Sequence, residues 1–320
     1  MSNSYSIKPI TEAVQHGEGP HWDHGNQILY FVDTFKATIY RWNFCSDHLS
    51  SYKLENHNSV AIVIPIKDKE DELLVASDRD VFVLKWPNKT KNDYSKTHTP
   101  LTLAKLEREK PKNQFNDGKV DSKGRLWLGT LTRNEDLSVS SNGGSLYMLA
   151  YEDGMKEIER ISNTSISNGL AWSQDNKRFY HIDSSTRMVV GYDYHEESGE
   201  ISNKKIIFDL KDHPNLEDIP DGMTIDENDH LWIALFGGHS VINVDPASGE
   251  LMRVIEVPVT YVTSVCFGGP DLDILYATTS RLHLDREGLE KEPMAGRILA
   301  IEHLGVKGLP SREPALLTCQ

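Results

Sequence analysis

Four short segments of this sequence place an acid or an amide just ahead of a glycine. They are Glu18-Gly-Pro-His-Trp22, Asn116-Asp-Gly-Lys-Val-Asp121, Asn168-Gly-Leu-Ala-Trp172 and Asp221-Gly-Met-Thr-Ile-Asp226. Brought together, Glu18 and Asp221 supply two negative charges and Asn168 a neutral carbonyl oxygen, a set that balances one divalent cation. Every donor is a hard oxygen, which favours Ca²⁺, Mg²⁺ or Mn²⁺ over Zn²⁺, with Ca²⁺ the first choice. Three protein ligands leave room for water and substrate, as a catalytic metal requires. The simpler reading takes Asn-Gly and Asp-Gly as turn dipeptides. Glu18 speaks against it, because glutamate is a poor turn former and yet holds the same place.

The elements that would position these residues are read from a repeat. Leu29-Tyr-Phe-Val, Leu73-Leu-Val-Ala, Leu126-Trp-Leu-Gly, Phe179-Tyr-His-Ile, Leu231-Trp-Ile-Ala and Leu275-Tyr-Ala-Thr recur along the chain, roughly 44 to 53 residues apart, the period of a four-stranded propeller blade. A second strand-like run follows each, as in Thr38-Ile-Tyr-Arg-Trp and Val241-Ile-Asn-Val, and turn signals such as Ser122-Lys-Gly and Glu227-Asn-Asp lie between repeats. The expected fold is all-β, a six-bladed β-propeller with a central channel, and residues 1–320 form one domain. The only stretch suggesting a helix is the charged run from Leu103 to Lys112.

Each polar residue precedes its apolar run by about ten or eleven positions, so all four occupy the same place in their blades and converge on the axis. Ser264 and the weaker Ser59-Val60-Ala61 complete the ring by the same count. Two carboxylates and two carboxamides facing one another are costly to desolvate unpaired, and a bound cation is the simplest compensation.

Charge narrows the function classes. With 48 Asp plus Glu against 34 Lys plus Arg, the net charge of -14 repels phosphate backbones and anionic lipid surfaces, so nucleic acid and membrane are not expected partners. The first residues have no basic start and no apolar run, and nowhere do about 18 apolar residues stand together. A cytoplasmic protein with a small-molecule substrate is expected. Cys45, Cys266 and Cys319 are isolated and odd in number, which points to free thiols. The sequons at Asn88 and Asn163 would matter only in a secreted chain.

Other residues receive blander readings. Asp117 and Asp121 lack the longer oxygen pattern of an EF-hand and read as turn residues, or as an orienting group in the case of Asp117. His16, His21 and His24 have no metalloprotease frame and read as surface residues. Trp22, Trp127, Trp172 and Trp232 recur with the repeat and read as blade packing. Asp33 and Asp183, inside their apolar runs, are placed to hydrogen-bond in the channel or to contact substrate. No Gly-x-Ser-x-Gly elbow is present.

At these motifs the chain resembles the regucalcin or senescence marker protein family, which also contains gluconolactonases and insect luciferin-regenerating enzymes. Gly17-Glu-Gly-Pro-His-Trp22, Phe115-Asn-Asp-Gly-Lys-Val-Asp121, Ser167-Asn-Gly-Leu-Ala-Trp172, Ile219-Pro-Asp-Gly-Met-Thr-Ile-Asp226, Cys266-Phe-Gly-Gly-Pro270 and Leu304-Gly-Val-Lys-Gly308 carry the resemblance in order and spacing. It implies a six-bladed propeller, a metal held by Glu18, Asn168 and Asp221, and lactone hydrolysis with Asp221 doubling as catalytic acid or base. Asn116 matches an asparagine near metal and substrate.

Two substrate-contacting positions depart from the family. Gln114 stands where arginine is usual, and Asn134, flanked by Arg133 and Glu135, stands where the sugar-lactone hydrolases place glutamate. Gln keeps hydrogen bonding but loses the charge and planar fork of Arg. Losing such contacts can shift substrate choice by several orders of magnitude, which argues against gluconolactone and for another small lactone or ester. Two alternatives remain at this level: a non-catalytic calcium-binding propeller, and an enzyme of the luciferin-regenerating type.

Overall fold

The computed structural model describes residues 5–87, 100–151, 154–216 and 219–314. The six apolar runs fall in the strands Ile28–Asp33, Glu72–Ser77, Leu126–Arg133, Arg178–Asp183, Leu231–Phe236 and Ile274–Ser280. Both faces of each are largely buried, so the hydrophobic pattern is continuous and does not alternate. Before each comes an antiparallel partner: Gly17–Asp23, Val60–Pro65, Asn113–Val120, Ser167–Trp172, Ile219–Ile225 and Tyr261–Gly268. These six inner strands touch one another in chain order, and the last touches the first.

Two more strands complete each antiparallel meander, as Thr38–Asn43 and His48–Lys53 do in the first. The last meander takes its fourth strand from the other end of the chain. Ser6–Pro9 pairs antiparallel with Leu299–Glu302, Ser6 facing Glu302 and Pro9 facing Leu299. A single pair, Phe236 with Tyr261, joins the fifth and sixth meanders into one eight-stranded sheet. The third carries an extra short strand, Val139–Ser140.

The apolar core is partitioned to match. Trp22, Leu29 and Phe31 pack against Cys266, Tyr276 and Ile298, joining first and last meanders. Val32 and Ile39 meet Val63 and Phe82 between the first two; Ala61 and Leu74 meet Phe115 and Leu128 between the next two. Trp127 and Leu146 join Trp172 and Phe179; Ile182 joins Met223 and Ile233; Trp232 joins Phe267 and Leu275. The four repeating tryptophans are thus buried packing residues. Burial of apolar surface, aliphatic at some seams and aromatic at others, is the main favourable term holding each meander to the next.

Close approach near the axis explains a glycine. A Cβ on Gly222 would lie 2.0 Å from Ser264 Oγ and 2.7 Å from its Cα, so the fifth and sixth inner strands abut there without room for a methyl. Gly222→Ala should therefore cost about 1–3 kcal/mol, read as a lower urea midpoint. Gly25→Ala, whose Cβ would meet only Asp23 Oδ1 at 3.6 Å, should leave the midpoint nearly unchanged; equal losses would show that the close approach is not limiting.

Two local expectations differ from the structure. The run from Leu103 to Lys112 is not helical: Leu101–Lys105 is the fourth strand of the second meander, followed by turns. Sheet pairing with Asp80–Lys85 overrides its charge pattern. The α-helix found among the described residues, Arg286–Lys291, is capped by Asp285, whose side chain accepts from Gly288 N at 2.8 Å. No helix among the described residues is long and apolar enough to cross a membrane. Cys45 is exposed and Cys266 buried, both free; Cys319 and the Asn88 sequon lie outside the described residues.

Candidate functional site

Each inner strand carries one extra residue at the same level. The register shifts between Glu18 and His21, Phe115 and Gly118, Asn168 and Leu170, and Pro220 and Met223, with equivalent shifts in the second and sixth strands. Such a bulge bends the strand and re-aims a side chain. Glu18, Asn116, Asn168 and Asp221 all stand at it, and the glycine beside the kink is required. Gly19 has φ +54°, and a Cβ there would lie 2.6 Å from the Ala61 carbonyl oxygen.

Aspartates at the ends of the second strands hold the chain entering these kinks. Asp33 accepts from Gln15 N at 2.8 Å and His16 N at 3.3 Å, and Asp183 from Ser165 N and Ile166 N, both at 3.0 Å. Asp78 does the same for Ser59 N at 2.9 Å. The carboxylates replace hydrogen bonds that the ladder cannot supply there.

Register fixes the ring. Trp22 faces Leu29, Val120 faces Leu126, Trp172 faces Phe179 and Ile225 faces Leu231; Pro65 faces Leu73 and Phe267 faces Leu275. Four residues before each stand Glu18, Asn116, Asn168, Asp221, Ala61 and Thr263. The sixth position is thus Thr263, one residue before Ser264. Thr263 Oγ1 donates to the Gly17 carbonyl at 2.6 Å and ties the ring's last strand to its first.

Asn168 and Asp221 are in direct contact. Asn168 Nδ2 donates to Asp221 Oδ1 and to Ser184 Oγ, the latter at 3.0 Å, while its Oδ1 accepts from Gly169 N at 3.2 Å. Half a turn about the last torsion would exchange the amide oxygen and nitrogen. Burial, reinforced by the charges of Asp221 and Asp117, holds the Glu18 carboxyl well above the usual range; the Gly19 N–H, 3.1 Å from Oε2, opposes it. Burial also raises Asp221, against the Asn168 hydrogen bond and together with the Asp117 charge. Asp117 is itself raised by burial, which Lys119 and the Gly118 N–H oppose; its Oδ2 is buried without a partner.

Three desolvated acids whose charges act on one another, with a carboxamide in contact, fit a hard divalent cation well. Among the described residues no three His, Cys, Asp or Glu side chains form a metal cluster; this set draws one of its three donors from an amide.

The remaining candidates divide. Asn116 Nδ2 donates to the Ser167 carbonyl at 3.1 Å, which holds it beside the Asn168 strand. Gln114 has a buried Nε2 with no partner. Asn134 spends its side-chain amide on Ser138 Oγ at 3.1 Å and Ser140 Oγ at 3.3 Å, within its own hairpin. Its neighbour Arg133 places its guanidinium carbon 5.1 Å from the centre of the Phe35 ring.

Two histidines expected at the surface are drawn inward instead, His16 partly buried and His21 buried. His16 Nδ1 is 2.8 Å from Ser280 Oγ, and Nε2 is 3.9 Å from Glu18 Oε1. Burial, with Arg133 and His283, pushes its pKa down to about 3, so it is neutral at pH 7. His21, 8% exposed, lines a cavity together with Lys119, Cys266 and residues 309–312. Other inner strands bring Asp117, Lys119, Thr224 and Ser264 to the same cavity, which local sequence does not reveal. The sequence reading also missed an aromatic group at the mouth: Phe35, Phe236, Tyr261 and His283. Its available signal was that Phe35 and Phe236 follow their apolar runs at the same end as Glu18.

The chain is similar to known proteins in both sequence and fold. The sequence profile described as SMP-30/Gluconolactonase/LRE-like region matches residues 16–281. Regucalcin of Gallus gallus is 35% identical over 92% of this chain and 93% of its own length. Regucalcin of Homo sapiens is 34% identical over 94% and 95%. Among solved structures, a luciferin-regenerating enzyme superposes with TM-score 0.88 at 34% identity, covering 98% of this chain and all of its own. A regucalcin from Agrobacterium tumefaciens, at TM-score 0.84 and 23% identity over 98% of both chains, shares the fold. The neighbours are of β-propeller type, and the chain belongs to the SMP-30/gluconolactonase/LRE-like family.

Proposed function

We propose that this chain is a divalent-metal-dependent hydrolase of a small lactone or ester, built as a six-bladed propeller in which each meander is one blade. The carrying observation is the contact of Asn168 with Asp221 at matching bulges, with Glu18 close enough to feel the Asp221 charge. The relatives' names supply the reaction class. Glu18, Asn168 and Asp221 would hold the ion, Ca²⁺ by preference for their hard oxygens. The net charge of -14 keeps polyanions from competing for the mouth.

A bound divalent cation supplies polarisation of the substrate carbonyl and charge for the developing oxyanion. Asp221 takes a proton from the attacking water as the water oxygen bonds to the carbonyl carbon. The acyl C–O bond then breaks, and the departing oxygen receives a proton from Asp221, which leaves a hydroxy acid, or an acid and an alcohol. Asn116, tied to the Ser167 carbonyl, stands beside this centre to orient the substrate. Gln114 offers its unmet amide to a substrate oxygen.

The test is a screen of lactones and esters with purified protein, with and without Ca²⁺, Mg²⁺ or Mn²⁺. Metal-dependent turnover that Glu18→Gln removes is the expected result. Calcium binding without turnover of any substrate would favour the non-catalytic propeller.

A further inference from the structure

The mouth above Glu18 is walled by rings. The chain turns out of Ile28–Asp33 through the short 3₁₀ segment Thr34–Lys36, which carries Phe35, and Leu231–Phe236 ends on Phe236, opposite Tyr261. The His16 ring lies between them, its centroid 5.1 Å from Phe35 and 6.2 Å from Phe236. Phe236 continues to Tyr261 at 4.8 Å, and Tyr261 to His283 at 5.5 Å. Arg133 closes the other end over Phe35. His16 Nε2 is 3.9 Å from Glu18 Oε1, so the string of rings borders the acid centre itself.

Phe35, Phe236 and Tyr261 are only partly buried. Two buried donor atoms, Arg133 Nε and Gln114 Nε2, have no partner among the described residues. A polyhydroxylated ring would bring several hydroxyls against phenyl faces that offer them no hydrogen bonds, and each would lose its water. A planar ring gains stacking there, and an acceptor on that ring meets the guanidinium.

We infer that the substrate of this site, taken as the hydrolase proposed above, is an aromatic lactone or aryl ester. Its ring lies among Phe35, Phe236 and Tyr261, and a carboxylate or similar acceptor faces Arg133. The inference rests on the hydrolase reading for the reaction, while ring recognition is measurable without it.

The full-length chain with Ca²⁺ is tested in two arms. Coumarin-3-carboxylate, measured by equilibrium dialysis, probes the mouth directly; dihydrocoumarin and δ-valerolactone report hydrolysis. Phe35→Leu and Phe236→Leu, checked for unchanged melting, should each weaken the probe about fivefold to tenfold. They should lower kcat/KM far more for dihydrocoumarin than for δ-valerolactone. Arg133→Met should weaken the carboxylated probe more than coumarin itself.

No probe binding by the wild type, or equal losses for both lactones in the leucine variants, would overturn the inference. If nothing is hydrolysed with any ion, the reaction reading fails, and the dialysis arm still decides whether the mouth selects aromatic anions.

Discussion

Asp221→Asn is expected to lower kcat on any lactone this protein hydrolyses by at least about 10³-fold, because one side chain serves as both ligand and proton acceptor. Loss of activity alone would not separate this from misfolding. Stability does, because the charge balance makes the sign opposite. Burial and mutual repulsion penalise the charges on Glu18, Asp221 and Asp117 when no cation joins them. Removing one charge, by Asp221→Asn or Glu18→Gln, should therefore raise the melting temperature measured in chelator.

The same changes should abolish stabilisation by calcium. A ligand at about 100 times its Kd adds about 2.7 kcal/mol to the native state, a rise in melting temperature that a thermal scan reads easily. The expected pattern is a higher melting point in EDTA, no calcium shift and no turnover. Lower stability in EDTA together with an intact calcium shift would show that the ion binds elsewhere.

How much of this was legible in the sequence depended on the range of the interactions involved. The six second strands were visible because burial on both faces writes an unbroken apolar run, and Glu18, Asn116, Asn168 and Asp221 because a glycine marks each kink. Where no glycine stands, as in the sixth inner strand, the bulge leaves no local mark. Thr263 and Ser264 are both small hydroxyl residues, and only pairing with Thr279 and Thr278 shows where the extra residue lies. Ser6–Pro9 could not be assigned to the last meander, since its partner Leu299–Glu302 lies at the opposite end of the chain.

His21 was misplaced for a related reason. It sits in a polar, turn-rich segment, and it is buried at a cavity whose lining includes Lys119 and Cys266 of other strands. The ring string at the mouth, from Phe35 through His16 to His283, is assembled from five separated segments, none of which is periodic. Asp33 and Asp183 were placed for hydrogen bonding, and both do bond, though to the backbone entering the inner strands.

Asp121 carries the second large expectation, and its meaning lies in contrast with Asp226. Both end an inner-strand segment six residues before a buried tryptophan and accept its indole N–H, at 2.9 Å from Trp127 and 2.8 Å from Trp232. Asp121 also accepts from Arg125 Nε at 2.7 Å and Tyr194 OH at 2.8 Å, and Arg125 reaches across to the Glu197 carbonyl at 2.9 Å in the next meander. Among the described residues, the Asp226 side chain otherwise bonds only backbone, Asn228 N at 2.8 Å and His230 N at 3.0 Å.

Removing the carboxylate at Asp226 leaves neutral donors unmet, a cost of about 1–3 kcal/mol. Removing it at Asp121 strands a buried guanidinium and unties two meanders, a cost of about 3–5 kcal/mol. Asp121→Ala should thus melt several degrees below Asp226→Ala, and Arg125→Met should recover part of the difference by removing the stranded charge. Equal melting points for the two aspartate variants would mean that the guanidinium finds water at no cost, and that the ion pair contributes nothing to holding the third meander against the fourth.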